Sequence, residues 1–198
     1  MTVKNIIKNA CVFLSKDELL NLTDLGGENQ ATDEQTKDLN HLVRCLNLVY
    51  NEIATDYIPL LNKETFLPDN GRIYFEDFSK KLLEIYRIED KFGYKTNYKL
   101  YPNFLETIDG EVKITYSFEP EAIVSLDSVI ESFSEKITER VIAYGVAMEY
   151  SFICGLHDDA AIWEKRFKDG ILIAARKKSE IRLPARRWNW WFMKKNFF

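Results

Sequence analysis

Cysteine and histidine are scarce in this sequence, and their scarcity narrows the chemistry open to the chain. The three cysteines, Cys11, Cys45 and Cys154, lie far apart and form no CxxC pair. Neither a disulfide scaffold nor a zinc site is therefore expected, and the thiols are predicted to be reduced and mostly buried. The two histidines, His41 and His157, stand alone, which favours ordinary polar positions over catalysis.

Motifs that hold phosphates, metals or nucleophiles are missing as well. The sequence has no glycine-rich phosphate loop, no HExxH and no GxSxG, so no cofactor is expected. The N-terminus lacks a long apolar run with a cleavage site, which predicts no secretion signal. The most apolar stretch, residues 141–156, is interrupted by Gly145 and Glu149 and is too short to cross a bilayer, so no membrane partner is expected.

Acidic residues are absent from residues 181–198. That segment carries five positive charges, at Arg182, Arg186, Arg187, Lys194 and Lys195. Because the whole chain has a net charge of −4, residues 1–180 carry −9. An acidic body argues against general nucleic-acid binding by that body. The length of 198 residues and the hydrophobic content of 46% favour a single domain over residues 1–180, followed by a basic aromatic arm at 181–198.

Two helical regions are predicted to form the core of an α+β fold. The first is a long helix over residues 32–56, where Thr32 and Gln35 have the spacing of a capping box and apolar residues then follow a 3.6-residue period. The second is a helix hairpin over residues 136–178. Its first helix should be enclosed nearly all round, because apolar residues occupy several of its faces: Ile137, Val141, Tyr144, Met148 and Phe152 on one, with Val146, Ala147, Tyr150, Ile153 and Cys154 on others.

The corner of the hairpin has its own signals. Gly155 is predicted to end the first helix in a left-handed conformation, and Asp158 or Asp159 to cap the second. In the second helix, Glu164 and Lys168 are spaced to pair at i,i+4. The side predicted to face the core carries Trp163, Phe167, Gly170, Ile171 and Ala174.

A small antiparallel β insertion is predicted at residues 57–118, between the helical regions. The sequence Pro68-Asp69-Asn70-Gly71 is a strong reversal signal. Asp109-Gly110 predicts a hairpin turn that joins residues 104–108 to residues 111–118. Residues 82–88 alternate in the manner of a strand with one face better buried.

Two other segments carry weaker signals. Residues 4–22 are interpreted as two short helices separated near Ser15, with Ser15 as the cap of the second helix and Glu18 completing a capping box. Residues 122–134 are compatible either with a loop that contains a short helical piece or with a strand.

Glu149 is the acid that most invites a functional interpretation, because it lies in an apolar helix. A buried carboxylate requires a partner or a raised pKa. One interpretation is a catalytic acid, working with the Asp158-Asp159 pair in a small enzyme. The other is half of an ion pair to an arginine, within the fold or across a subunit interface. The ion pair is favoured, since no second acid, histidine or metal motif lies at helical spacing.

The C-terminal arm is the least globular part of the sequence. It places three tryptophans within four residues and next to arginines: Arg186, Arg187, Trp188, Trp190, Trp191 and Phe192, with Arg182 upstream. Tryptophan and arginine are typical anchors of protein interfaces, which favours docking on another chain. Folding back on the body is the second interpretation, and binding of a single-stranded nucleic acid is the third.

In order, these segments resemble the head–tail adaptor (connector) proteins of tailed bacteriophages, a family that includes podophage tail tubular protein A. The resemblance covers roughly residues 32–180. A helix ending in Asn47-Leu-Val-Tyr-Asn-Glu-Ile-Ala54 precedes the β insertion. The run Gly110-Glu-Val-Lys-Ile-Thr-Tyr-Ser-Phe-Glu-Pro120 then leads to residues 137–173, which are similar to the helix hairpin of that family.

The resemblance implies a structural virion protein without a catalytic site. Adaptors of this family form a dodecameric ring beneath the portal protein, above a downstream tail or nozzle protein, and their C-terminal segments reach up to the portal. DNA passes through the ring without specific binding, for which an acidic body is suited. The chain would be assembled in the host cytoplasm. The alternatives are the small enzyme described above and a host-encoded adaptor unrelated to phages.

Overall fold

The protein combines helices and short antiparallel strands in an α+β arrangement, as predicted. The computed structural model describes residues 1–25, 32–133 and 137–175. The helices in these ranges are α1 (Val3–Phe13), α2 (Asp17–Leu25), α3 (Asp33–Glu52), α4 (Glu139–Ile153) and α5 (His157–Ala175). None of these helices has the length and apolar character that a bilayer span requires. All the strands lie between α3 and α4, where the β insertion was predicted.

Helix α4 is the centre of the helical core, since it packs against α1, α3 and α5. Eight of its 15 residues are buried, so the predicted enclosure is confirmed only in part: Arg140 is exposed, and Val141 and Tyr144 are half-buried. The last turn differs, because Phe152 and Ile153 are 43% and 55% exposed. Helix α5 covers α4 with the predicted side, on which Phe167, Ile171 and Ala174 are buried.

Gly145 allows α4 to approach its neighbours closely. A Cβ atom at this position would lie 2.6 Å from Cγ1 of Val49 in α3 and 3.1 Å from the ring of Phe167 in α5. Contacts of that length are far inside van der Waals separation. The three helices therefore meet at a point where only glycine fits their present spacing.

The predicted start of α3 is confirmed. The Thr32 hydroxyl accepts a hydrogen bond from the Gln35 backbone N–H at 3.3 Å, and the Gln35 side chain accepts one from the Thr32 N–H at 2.9 Å. After Glu52 the helix continues as a π-helical turn, Ile53–Tyr57, in which the Ile58 N–H donates to the Ile53 carbonyl at 2.8 Å. The helical path thus ends beside Pro59, close to the predicted limit.

Two predicted helix caps are wrong by one to three residues. The break between α1 and α2 does fall at Ser15, but Ser15 has a φ of 54° and α2 begins at Asp17. Ser15 thus makes the turn and lies too early to cap α2. Helix α5 begins at His157, so Asp158 and Asp159 lie inside its first turn. The left-handed conformation predicted for Gly155 is confirmed by a φ of 74°.

The strands form two antiparallel sheets of three strands each. The first has the order β1-β6-β3 and the second the order β2-β5-β4. Their bounds are β1 (Leu61–Phe66), β2 (Arg72–Tyr74), β3 (Leu82–Asp90), β4 (Lys99–Leu100), β5 (Phe104–Glu106) and β6 (Val112–Phe118).

The two reversals lie where they were predicted, but the Asp109-Gly110 reversal does not join paired strands. Gly110 has a φ of 107° and Gly71 one of 74°. The hairpin predicted across Asp109-Gly110 is nevertheless wrong, because β5 pairs with β2 and β4 while β6 pairs with β1 and β3. Both edges of β6 are occupied, so its chain neighbour β5 has to pair elsewhere. Strands β1 and β2 likewise belong to different sheets.

The predicted alternation in β3 is interrupted. Register shifts occur between Leu82 and Glu84 and between Ile85 and Arg87, and the buried residues Ile85 and Ile88 are three positions apart. An irregularity of this kind adds a residue and turns the following side chain to the other face. The strand is present, but its buried face cannot be derived from a period of two.

A polar cluster joins β1 to β6 inside the first sheet. The buried Tyr116 donates its hydroxyl proton to Glu64 Oε1 at 2.5 Å, and the Asn62 amide donates to the Tyr116 oxygen at 3.1 Å. The Ser79 hydroxyl donates to Glu64 Oε1, and the Ser79 N–H donates to Glu64 Oε2 at 3.3 Å. Burial acts to raise the pKa of Glu64, but these hydrogen bonds outweigh it and hold that pKa below its usual range.

The segment before α4 is extended and is tied to α3 and α1. Within residues 122–133 it forms no helix. Asn47 donates its amide to the Ile123 carbonyl at 2.8 Å and accepts from the Ile123 N–H at 2.7 Å. Val129 forms a single antiparallel bridge with Thr2. Over residues 122–133 the chain is an irregular loop that contains neither the predicted short helical piece nor the alternative strand.

Candidate functional site

Glu149 is half-buried on α4 and lies near other acidic and thiol groups. Its pKa is raised by burial and by the negative charge of Glu52. Burial and the charge of Glu149 also raise the pKa of the Cys45 thiol to about 12. In the part of the chain that the structure describes, Glu149 has no ion-pair partner. The pair within the fold is thus not observed there, while a pair across a subunit interface stays a prediction.

The other acids proposed for catalysis lie in a different environment. Asp158 and Asp159 are exposed in the first turn of α5. Carboxylates at this position are stabilised by the positive end of the helix dipole. Over residues 1–25, 32–133 and 137–175, no group of three His, Cys, Asp or Glu side chains is arranged to hold a metal ion. The geometry around Asp158 and Asp159 is accounted for by their position in the helix.

The predicted docking residues Arg182, Arg186, Arg187, Trp188, Trp190, Trp191 and Phe192 lie outside the described residues. Helix α5 is described to Ala175, and its last turn is held to the core by Ile171 and Ala174. The 23 residues that follow Ala175 have a maximum extended length of about 75 Å.

An aromatic–arginine patch, formed by Phe13, Tyr144, Trp163, Arg140 and Arg166, lies across α1, α4 and α5. The Phe13 ring stacks on Tyr144 and on Trp163, with centroids 4.8 and 5.1 Å apart, and Tyr144 and Trp163 are 5.9 Å apart. The three rings are only half-buried and both arginines are exposed. Each guanidinium lies over a ring, as in a cation–π contact.

The guanidiniums approach the rings from two helices. Arg140 lies 5.6 Å from the Tyr144 ring centroid and donates from Nε to the Tyr144 hydroxyl at 2.6 Å. Arg166 lies 5.2 Å from the Trp163 centroid and 5.8 Å from that of Tyr144. The patch was not predicted from the sequence. The local signal was an aromatic and an arginine three or four residues apart on both α4 and α5.

An acidic pocket, defined by Lys16, Asp17, Glu18, Glu34 and Asp38, lies between the first turns of α2 and α3. It is a cavity of about 500 Å³. Lys16 pairs with Asp38 at 2.5 Å, and the Tyr150 hydroxyl donates to Asp38 at 3.0 Å. Burial raises the pKa of Asp38, but the bonds from Lys16 and Tyr150 prevail and lower it. The pocket therefore keeps Asp38 ionised and has four carboxylates against one ammonium.

No protein-family model matches the sequence, and no curated protein matches it significantly.

Proposed function

We propose that this protein is a structural component of a phage virion, a head–tail adaptor that forms a ring between the portal and the tail. The observation that carries the proposal is the C-terminal arm. Residues 181–198 contain five basic residues, no acid, and three tryptophans within four positions. The described part of the chain before the arm ends in a helix whose side chains Ile171 and Ala174 are buried in the core.

The order of elements supports the proposal. The resemblance to adaptor proteins requires a long capped helix, a β insertion and a helix hairpin. Helix α3, the strands β1 to β6 and the pair α4–α5 follow one another in that order. The exposed apolar side chains at the α4–α5 corner, which include Phe152, Ile153 and Leu156, provide surface suited to contacts with another chain.

The acidic body and the basic arm have different roles in this proposal. The body carries −9, and a ring of such bodies repels the phosphates of DNA moving through its channel. In the arm, the arginines orient the chain on an acidic portal surface and the tryptophans supply most of the affinity. The lower face of the ring would contact the downstream tail or nozzle protein.

Removal of the arm tests this assignment. We expect a chain lacking residues 184–198 to keep the circular dichroism spectrum and melting temperature of the full chain and to lose binding to the portal protein encoded in the same genome. A matched pair of full-length variants separates the contribution of the tryptophans to portal binding from that of the arginines. In one, Trp188, Trp190 and Trp191 become Ser; in the other, Arg186 and Arg187 become Gln.

Co-sedimentation with purified portal rings measures the binding. The tryptophan variant should bind at least about a hundredfold more weakly, because anchor residues cost about 2 kcal/mol or more each when removed. The arginine variant should lose less affinity for the portal than the tryptophan variant does. Its loss should be largest at low salt, where charges are least screened. Undiminished binding of the truncated chain would contradict the assignment of the arm.

The mass of the complex tests the ring. Twelve copies of a chain of 23.3 kDa give about 280 kDa, which native mass spectrometry distinguishes from other stoichiometries. A portal complex that contains a single copy, or a purified chain that turns over a substrate, would refute the structural role.

A further inference from the structure

The aromatic–arginine patch has charges that the described chain leaves uncompensated. Neither Arg140 nor Arg166 has a carboxylate partner in residues 1–25, 32–133 and 137–175. Both side chains lie over a continuous stack of three half-buried rings. The guanidiniums lie 5.2–5.8 Å from the ring centroids, and the fork geometry of guanidinium N–H donors matches a carboxylate. The patch is therefore suited to bind a partner with acidic side chains.

The acidic pocket has the opposite imbalance. Lys16 neutralises Asp38, and in the described ranges Asp17, Glu18 and Glu34 have no ion pair. These three carboxylates are fixed in the first turns of α2 and α3 and are exposed. Within the described residues, the same chain thus presents one surface with two arginines and another with three carboxylates that have no ion-pair partner.

We infer that the aromatic–arginine patch of one copy binds the acidic pocket of a second copy of this chain. Charge complementarity selects this occupant. Arg140 and Arg166 bond to carboxylates such as Glu34, while the ring stack covers the rim of the pocket and excludes water from these bonds. The stacked aromatics and arginines have the composition of an interface hot spot. A nucleic acid fits less well, because the patch offers only two guanidiniums and the body as a whole carries −9, which repels a run of phosphates.

Two charge-reversed chains test the contact. Arg166→Glu reverses the patch, and Glu34→Lys reverses the pocket. Both residues are exposed, and Glu34 takes no part in the bonds between Thr32 and Gln35. Each variant alone opposes like charges at the contact. In a mixture of the two variants, a reversed patch meets a reversed pocket at one contact and the two unaltered surfaces meet at the next, so both contacts are complementary again.

Sedimentation velocity and native mass spectrometry of the full chains measure the association. We expect wild type to self-associate, each variant alone to associate at least about tenfold more weakly, and the equimolar mixture to recover to within about threefold of wild type. Association should weaken as salt rises. A product of two copies identifies a two-fold contact, and a larger closed number identifies a head-to-tail ring.

Matched controls separate the contact from general charge effects. Lys165→Glu makes the same change beside Arg166 at an exposed position, and Glu111→Lys makes the pocket's change in the β insertion; both should associate as wild type does. If either reversed chain melts early, Arg140→Glu or Asp17→Lys replaces it. A mixture as weak as its components overturns the inference, as does a wild-type chain that stays monomeric at millimolar concentration. Portal binding through the arm is measured separately, so it can succeed while this contact fails.

Discussion

Replacing Gly145 with alanine should destabilise the protein, although alanine is the better helix former. The added Cβ would lie 2.6 Å from Val49 Cγ1 and 3.1 Å from two ring carbons of Phe167. Val49 and Phe167 are both fully buried. Val49 is also β-branched, so its χ1 has one preferred state in a helix and cannot turn the methyl group away at low energy. The helices themselves must therefore move apart.

The change in the free energy of unfolding is the sum of two opposed effects, the gain in helix propensity and the cost of overpacking. In an exposed helix, glycine to alanine gains about 1 kcal/mol. Overpacking a well-filled core costs about 1–3 kcal/mol, and a contact about 1 Å inside the optimal separation of about 3.5–4.0 Å lies at the upper end of that range. The net loss should be about 1–2 kcal/mol. For a chain of this size, each kcal/mol lowers Tm by about 2–4 °C.

A double-mutant cycle with Val49→Ala identifies the cause. Urea unfolding of wild type, Gly145→Ala, Val49→Ala and the double variant gives four free energies of unfolding. Val49→Ala alone should lower the free energy of unfolding by about 1–3 kcal/mol, because it leaves a cavity in the core. In the double variant the new methyl group occupies part of that space, so the combined loss should be smaller than the sum by about 1 kcal/mol. Pairing Gly145→Ala with Leu105→Ala in β5 should be additive. A Gly145→Ala chain as stable as wild type would refute the reasoning.

Three further predictions concern buried polar groups. Tyr116→Phe should lower the free energy of unfolding by about 1–3 kcal/mol in urea titrations, because Glu64 loses one of its donors and Asn62 one of its acceptors; an unchanged value would contradict the role of this cluster. The pKa of Glu64 is lowered in the folded state, so its contribution to stability is present above the unfolded pKa and is lost as pH falls through the folded pKa; Glu64→Gln should remove this acid dependence of the melting temperature. The pKa of Glu149 is raised, so stability should decrease as pH rises from the unfolded pKa through the folded one, and Glu149→Gln should abolish that decrease in the isolated chain. If Glu149 pairs with an arginine across a subunit interface, the same substitution should weaken assembly by about 3 kcal/mol, which native mass spectrometry of the complex measures.

The helices were predictable because their signals are local. The capping box of Thr32 and Gln35 involves residues three apart, and both bonds are formed. The apolar faces of α4 and α5 likewise depend on a period of 3.6 residues. The position of Gly155 at a corner follows from its tolerance of positive φ. None of these features requires knowledge of a distant part of the chain.

Strand partners and the candidate surfaces were not predictable in this way. Asp109-Gly110 does make a turn, but whether β5 and β6 pair depends on β1 and β3, which occupy both edges of β6. The aromatic–arginine patch brings Phe13 onto Tyr144, across more than half of the chain. The environment of Glu149 depends on Glu52 in another helix. Contacts of this kind are properties of the tertiary structure, and no local period encodes them.

The pairing order of the chain has a consequence for how it folds. Central strand β6 joins β1 and β3, which precede it, and α4 closes the core formed by α1 and α3. The Thr2 N–H donates to Glu139 across 137 positions, and Tyr150 donates to Asp38 across 112. Loops of that length close slowly, because the chain loses conformational entropy before stabilising contacts form. At synthesis rates of about 5–20 residues per second, the nascent chain holds the apolar faces of α1 and α3 open for several seconds, until β6 and then α4 emerge.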